Sequence, residues 1–324
     1  MSIAAAIQTS AISKSYGLPL RPQTPALHPT SLTIPQGSIF ALLGHNGAGK
    51  TTLIKLLVNI LHPTAGAATV LGRASTTIAG DDFTRIGYVS ENQDLPGWMT
   101  VRAFLRYQST FYPTWDDAAL IRRFELPLNR KLKHLSRGQR MKVALASVLA
   151  FSPSLIILDE PFSGLDPLVR DELIEALLDS AATKSTIDPL TILLSSHDLA
   201  EIESFATHVA FLHAGNLLFA EELPTLAARF REVTVTLADQ APNPEPLALD
   251  PIPSTWLNLQ QTAHTLRFIH TQSDTEPIQQ QIQQLYPNAT SITLDPMNLR
   301  SIFLALAKSG RVPAVPAEPA KAGR

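Results

Sequence analysis

The sequence predicts an α/β fold built on a mostly parallel sheet with helices on both faces. Short apolar runs such as "IFALLG" and "SLIILDEP" read as strands buried on both sides. Helical patterns such as "TTLIKLLVNIL" and "PLVRDELIEALLDSAA" alternate with them, the order expected of a sheet whose crossovers are helices. A glycine-rich stretch, "HNGAGK", joins the first of these strands to the first of these helices.

Along the chain, β-rich runs come first, "IAAAIQTSAISKSY" and "SLTIPQGSIFALLG". The segment between them, "GLPLRPQTPALHP", holds four prolines and reads as an extended loop. "AATVLG" and "RIGYVS" are further strands. From about residue 99 to 151 the pattern turns helical, through "TVRAFLRYQSTFY", "WDDAALIRRFEL" and the run after "LSRGQ". This block reads as an inserted helical subdomain, about residues 92–150 of a first domain spanning 1–230. The strand "LTILLSS", the helix "DLAEIESFA" and the strand "HVAFLHAG" complete that domain. Beyond it, "EVTVTLA", "STWLNLQQTAHTLRFIH", "EPIQQQIQQLYP", "SITLD" and "NLRSIFLALAKSG" predict a small α+β domain, residues 231–310, of two or three strands and two helices. Its glutamine-rich helix is either a dimer contact or a solvated face. The Pro/Ala-rich stretch 311–324 reads as a disordered tail.

Composition narrows the function classes. The 324 residues are 45% hydrophobic, enough for a substantial core. Lys plus Arg number 26 against 28 Asp plus Glu, a net charge of −2, and nucleic acid is not expected as a partner because phosphate binding needs concentrated positive charge. With no cysteine, disulfides, thiolate-bound zinc and thiol nucleophiles are excluded, which suits a reducing compartment. The N-terminus lacks the basic start and apolar core of a secretory signal. Nor is there an uninterrupted apolar run of about 18 residues, so a membrane role would come through a partner.

"GHNGAGKT" matches G-x-x-x-x-G-K-[ST] with a strand before it and a helix after it. Glycines let the backbone curl so that successive N–H groups face phosphate oxygens, and the helix N-terminus adds partial positive charge. Gly44, His45, Asn46, Gly47, Ala48, Gly49 and Thr52 form this cradle, with Lys50 reaching the β- and γ-phosphates and Thr51 ligating Mg²⁺. "SLIILDEP" puts Asp159 and Glu160 at the carboxyl end of a buried strand, where ligands bind in open α/β sheets. Asp159 would serve the metal shell, and Glu160 would orient or deprotonate an attacking water. In "LSRGQ", Ser136 and Gln139 have the spacing of a capping box, which explains a helix start but not Gly138 in its first turn.

The ordered set "GHNGAGKTT", "LSRGQ", "LIILDEP", "SGLD" and "SSHD" resembles the ATP-binding subunit of an ABC transporter, over roughly residues 3–223. The resemblance implies a P-loop ATPase core with an antiparallel β subdomain and an inserted helical subdomain, ATP and Mg²⁺ as cofactors, and an ATPase coupled to transport. It puts Tyr16 against adenine, Asp166 at a dimer seam and His197 at the γ-phosphate. Read locally, Tyr16 is also an edge-strand tyrosine and Asp166 also a helix N-cap before Pro167. At Glu91 the family usually has a glutamine that touches Mg²⁺. Glu91 could ligate through its carboxylate or be a solvated loop acid, and Gln93 is an alternative.

The resemblance further implies that Ser136, Gly138 and Gln139 of one chain close over ATP held by a second, in a head-to-tail homodimer. It also implies a separate transmembrane permease. Trp98, Met99, Phe111, Tyr112 and Trp115 are candidates for that contact or for the helical subdomain's own core. The layout is exporter-like, with the chain in the cytoplasm, peripheral at the inner face of the membrane. The competing readings are a non-transport ATPase of the same type and a low-turnover nucleotide switch.

Overall fold

The computed structural model describes residues 4–17, 24–91, 93–185, 187–238, 253, 255–262, 264–271, 275–287 and 289–309. The chain divides into two compact units between Ala220 and Glu221. The sequence reading draws its boundary after residue 230; the difference is one helix, Leu223–Arg229, which goes with the second unit.

The first unit opens with strands β1 (Ala5–Tyr16) and β2 (Thr24–Pro35), then β3 (Ile39–Leu43), helix α1 (Lys50–Leu57), β4 (Ala65–Val70), β5 (Arg73–Ala74) and β6 (Ile86–Ser90). Three helices follow, α2 (Val101–Ser109), α3 (Ala118–Arg123) and α4 (Arg137–Leu149). The unit continues through β7 (Leu155–Asp159), α5 (Pro167–Thr183), β8 (Thr191–Ser196) and β9 (His208–His213), and the chain leaves it along β10 (Asn216–Glu222), whose last two residues fall past the boundary.

β2, β1, β4 and β5 form an antiparallel sheet in that order. The second sheet runs β10-β9-β3-β8-β7-β6, and β9, β3, β8, β7 and β6 are parallel. β3, β7 and β8 are buried along their whole length, β3 as a wholly apolar run and β7 and β8 as apolar runs that end in Asp159 and in Ser195 and Ser196. One core cluster includes Ile7, Ile34 and Val70 of the antiparallel sheet, Phe40, Leu42 and Ile157 of the parallel one, and Leu53, Ile54, Leu56 and Leu57 of α1. Burial of each such side chain stabilises the fold by about 1.5–3 kcal/mol, which fixes α1 and the loop before it at the carboxyl ends of the strands.

Two local expectations need correction. β2 begins at Thr24, inside the expected proline-rich loop, of which residues 18–23 lie outside the described residues. β2 is an edge strand, where Pro25, Pro29 and Pro35 need not donate to a ladder, and four register irregularities absorb them. "DLAEIESFA" is a single 3₁₀ turn, Leu199–Glu201, rather than an α-helix. Its buried residues Leu199, Ile202 and Phe205 recur every three positions, the period of a 3₁₀ turn.

In the second unit α6 (Leu223–Arg229) precedes β11 (Arg231–Leu237), β12 (Trp256–Gln261), β13 (Thr265–His270), α7 (Thr275–Leu285), β14 (Ala289–Pro296) and α8 (Leu299–Ser309). The four strands make an antiparallel sheet in the order β12-β13-β11-β14, one strand more than expected. Trp256 stacks on Phe268 at 3.7 Å over Ile278, Ile282 and Tyr286. In α7, Ile278 and Ile282 face inward at i,i+4 while Gln279, Gln280, Gln283 and Gln284 lie on the exposed side of the helix. The expected tail, 311–324, lies outside the described residues. Among the described residues no helix is long and apolar enough to cross a membrane.

Candidate functional site

The β3–α1 loop carries the phosphate-loop sequence. Gly49 N-caps α1 with φ of 103°, and a Cβ there would lie 2.7 Å from the Ala26 carbonyl oxygen, so the turn needs glycine on both counts. A cavity of about 330 Å³ is walled by Ala26, by 46–52, and by Glu91 and Glu160. Lys50, only 5% exposed, donates to the Gly44 carbonyl at 2.5 Å and pairs with Glu160 Oε1 at 3.0 Å. A buried pair of this kind adds little net stability, but removing either member leaves the other charge unpaired.

β7 ends at Asp159, which bonds the cavity residue Thr51, and Glu160 just after it walls the same cavity. Thr51 Oγ1 donates to Asp159 Oδ1 at 3.1 Å, and Ser195 Oγ donates to the same oxygen at 2.7 Å. Ser195 Oγ also accepts from the Glu160 N–H at 2.9 Å. Burial, aided by the Asp159 charge, pushes the Tyr88 phenol up to about 12. Glu160 has φ of 50°, a left-handed conformation that costs a non-glycine residue about 1–3 kcal/mol. Ser195, Lys50 and His197 hold it there. His197 Nδ1 lies 2.8 Å from Glu160 Oε2, and this hydrogen bond raises the imidazole's pKa.

A raised histidine pKa stabilises the fold fully below its unfolded value, about 6.5, and the gain is lost as pH rises through the folded value. In nucleotide- and metal-free protein, His197→Ala is therefore expected to lower the melting temperature near pH 6 and to converge on wild type toward alkaline pH. The effect should be small, about 1 kcal/mol or less, because the imidazole is 42% exposed.

The structure thus gathers residues 44–52, Asp159, Glu160, His197 and Glu91. Ser195 belongs with them and was missed; its signal was a serine pair ending an otherwise apolar strand, with both serines fully buried. Gln93, the alternative to Glu91, lines a second cavity instead, of about 390 Å³, against α4.

Three predicted groups stand apart from the phosphate-loop cavity. Ser136 N-caps α4 and accepts from the Gln139 N–H at 3.2 Å, while Gln139 Oε1 accepts from the Ser136 N–H at 3.2 Å, the complete capping box. A Cβ on Gly138 would lie 3.2 Å from Val169 Cγ1, so packing of α4 on α5 is a second, intrachain reason for that glycine. Asp166 N-caps α5, accepting from the Val169 N–H at 3.1 Å, with Pro167 first in the helix. Tyr16 ends β1, 45% exposed, with Lys14 Nζ 5.6 Å from its ring centre.

Comparison with known proteins gives this geometry its context. The family model described as ABC transporter matches residues 27–163. An uncharacterised ABC transporter ATP-binding protein of Nostoc is 34% identical over 68% of this chain and 67% of that one. The chain belongs to the ABC transporter ATP-binding proteins. The bacitracin transport ATP-binding protein of Bacillus licheniformis is 33% identical, over 67% of this chain and 69% of its own. The lantibiotic transport ATP-binding protein of Streptococcus pyogenes is 30% identical, over 65% and 88%. A solved ATP-binding subunit of an ABC transporter superposes with a TM-score of 0.60 at 28% identity, covering 68% of this chain and 91% of that one. A dimeric cassette bound to ADP and phosphate superposes at 0.58 with 23% identity, over 67% and 98%, and speaks for the fold. The chain is an ABC ATPase: it binds ATP and hydrolyses it.

The donor set also fits a magnesium ion. Mg²⁺ takes oxygen ligands from one or two carboxylates and leaves the rest to phosphate and water. Thr51 and Asp159 already meet at 3.1 Å, and the Glu91 carboxylate walls the same cavity.

Proposed function

We propose that this ABC ATPase powers a separate membrane-spanning subunit, closing over ATP as two copies of itself arranged head-to-tail. The observation that supports the reading best is the separation between the cavity at Lys50 and Glu160 and the helix start at Ser136 and Gly138. Each is suited to phosphate, yet the capped start of α4 does not wall the cavity of its own chain. A C2 pair would place each helix start over the other chain's cavity and complete two sites at once.

Within each site, residues 44–52 would bind the phosphates, Lys50 releasing the Gly44 carbonyl to do so. Thr51 and Asp159 would hold Mg²⁺, with Glu91 as a further oxygen donor. When bound, that ion neutralises charge on the β- and γ-phosphate oxygens. Glu160 would take the proton of the attacking water, with His197 fixing its carboxylate and meeting the γ-phosphate. Tyr16 would stack on adenine, and Asp166 would lie at the seam between chains.

Trp98 and Phe111, 73% and 58% exposed, offer aromatic anchors for a membrane partner. Tyr112 instead stacks on Phe151 at 3.9 Å and lies beside Trp115, serving the helical subdomain's own packing. The bacitracin and lantibiotic relatives are named for transport, which supports a transport role, and the layout of a single ATPase with an appended C-terminal domain favours export, with the chain on the cytoplasmic face. Steady-state phosphate release by the purified chain tests the reading. Turnover in which Glu160→Gln matches wild type would refute the assigned chemistry. Failure of any integral membrane protein to co-purify with the tagged chain from detergent-solubilised source membranes would refute the permease partner.

A further inference from the structure

Glu91 walls two cavities at once, the phosphate-loop cavity and the larger one against α4. Its carboxylate does not stand free. Arg137, the residue between Ser136 and Gly138, donates from Nη2 to Glu91 Oε1 at 2.9 Å. The same guanidinium lies against the loop between Glu160 and Asp166, where a Cβ on Gly164 would be 3.4 Å from Arg137 Cζ. One cation therefore touches the loop after β6, the start of α4 and the loop after β7.

We propose that Arg137 is a positioning residue that holds the Glu91 carboxylate to the start of α4, tying the wall of the nucleotide cavity to the helix end that carries Ser136 and Gly138. The proposal rests on the reading of the cavity as the ATP site. Glu91 is an anion facing a space suited to phosphate, and its repulsion of metal-free ATP is offset while Arg137 neutralises it. Without Arg137 the carboxylate is unpaired and turned loose beside the phosphates. Metal-free ATP then binds less well, and Mg²⁺ makes up more of the difference.

The test is a double-mutant cycle in the full chain, read as ATP affinity by competition with a fluorescent ATP analogue, once in EDTA and once with Mg²⁺. Arg137→Gln is expected to weaken metal-free ATP roughly three- to fivefold, the scale of a half-exposed ion pair, and to weaken Mg-ATP less. Adding Glu91→Gln should restore metal-free affinity, because the repelling charge is gone. Arg137→Lys should recover part of the loss. An equal loss whether residue 91 is Glu or Gln overturns the proposal, as does a lowered melting temperature with unchanged affinities. Lys50→Ala separates the two levels of inference. If it leaves ATP binding intact, the site reading falls and the proposal with it; if it abolishes binding while the cycle is additive, only the role of Arg137 falls.

Discussion

Glu160→Gln is expected to lower steady-state hydrolysis by about a hundred- to ten-thousandfold, the range for losing a positioned general base. The amide keeps the shape of a side chain that is buried to 8% exposure, but it cannot take a proton from water. It also gives up the charge that binds Lys50 at 3.0 Å and His197 at 2.8 Å. Release of Lys50 from that pair frees its ammonium for phosphate, so ATP should bind at least as well as to wild type. Slow hydrolysis with intact binding should accumulate the ATP-bound state, and with Mg-ATP the variant should elute as a dimer. Turnover like that of wild type would remove Glu160 from the chemistry; a monomer at saturating Mg-ATP would count against closure over shared nucleotide.

Ser136→Arg should abolish hydrolysis while leaving the affinity of the isolated chain for ATP within about twofold of wild type, less than 0.5 kcal/mol. Ser136 caps α4 outside the walls of its own chain's cavity, and with the Arg137–Glu91 pair left in place its loss reaches the chemistry through a partner. The arginine removes the cap, adds bulk and puts a cation at the positive end of a helix. Cap loss costs about 0.5–2 kcal/mol, which α4 can bear because 141 and 143–149 are buried. A melting curve checks that the variant folds. Loss of ATP affinity comparable to that of Lys50→Ala would place Ser136 in the site of its own chain.

The site was legible in the sequence where chemistry is local. The phosphate loop needs its residues in one continuous stretch, and the carboxylates at 159 and 160 end a strand whose apolar run marks its carboxyl end. Capping boxes are local too, which is why Ser136 and Gln139 could be paired from spacing alone. What escaped depends on neighbours distant in sequence. Ser195 gains its role from parallel pairing of β7 with β8, which brings it level with Asp159. Arg137 meets Glu91 across 46 positions, and no periodicity announces such a contact. The 3₁₀ turn at Leu199–Glu201 and the early start of β2 likewise follow from burial and edge pairing rather than propensity. In the second unit the run "STWLNLQQTAHTLRFIH" folds back on itself as the antiparallel pair β12 and β13, a reversal its apolar pattern does not mark, so the fourth strand was undercounted.

The central claim is that one chain supplies half of each catalytic site. Mixing Lys50→Ala chains with Ser136→Arg chains tests it most directly, with phosphate release as the readout. Each variant alone should be inactive. A mixed pair holds one intact site, formed by the phosphate loop of the Ser136→Arg chain and the helix start of the Lys50→Ala chain. Random pairing at equal concentrations should therefore restore up to about a quarter of wild-type activity. A mixture as inactive as its parts, under conditions where light scattering shows the two chains paired, would contradict the account.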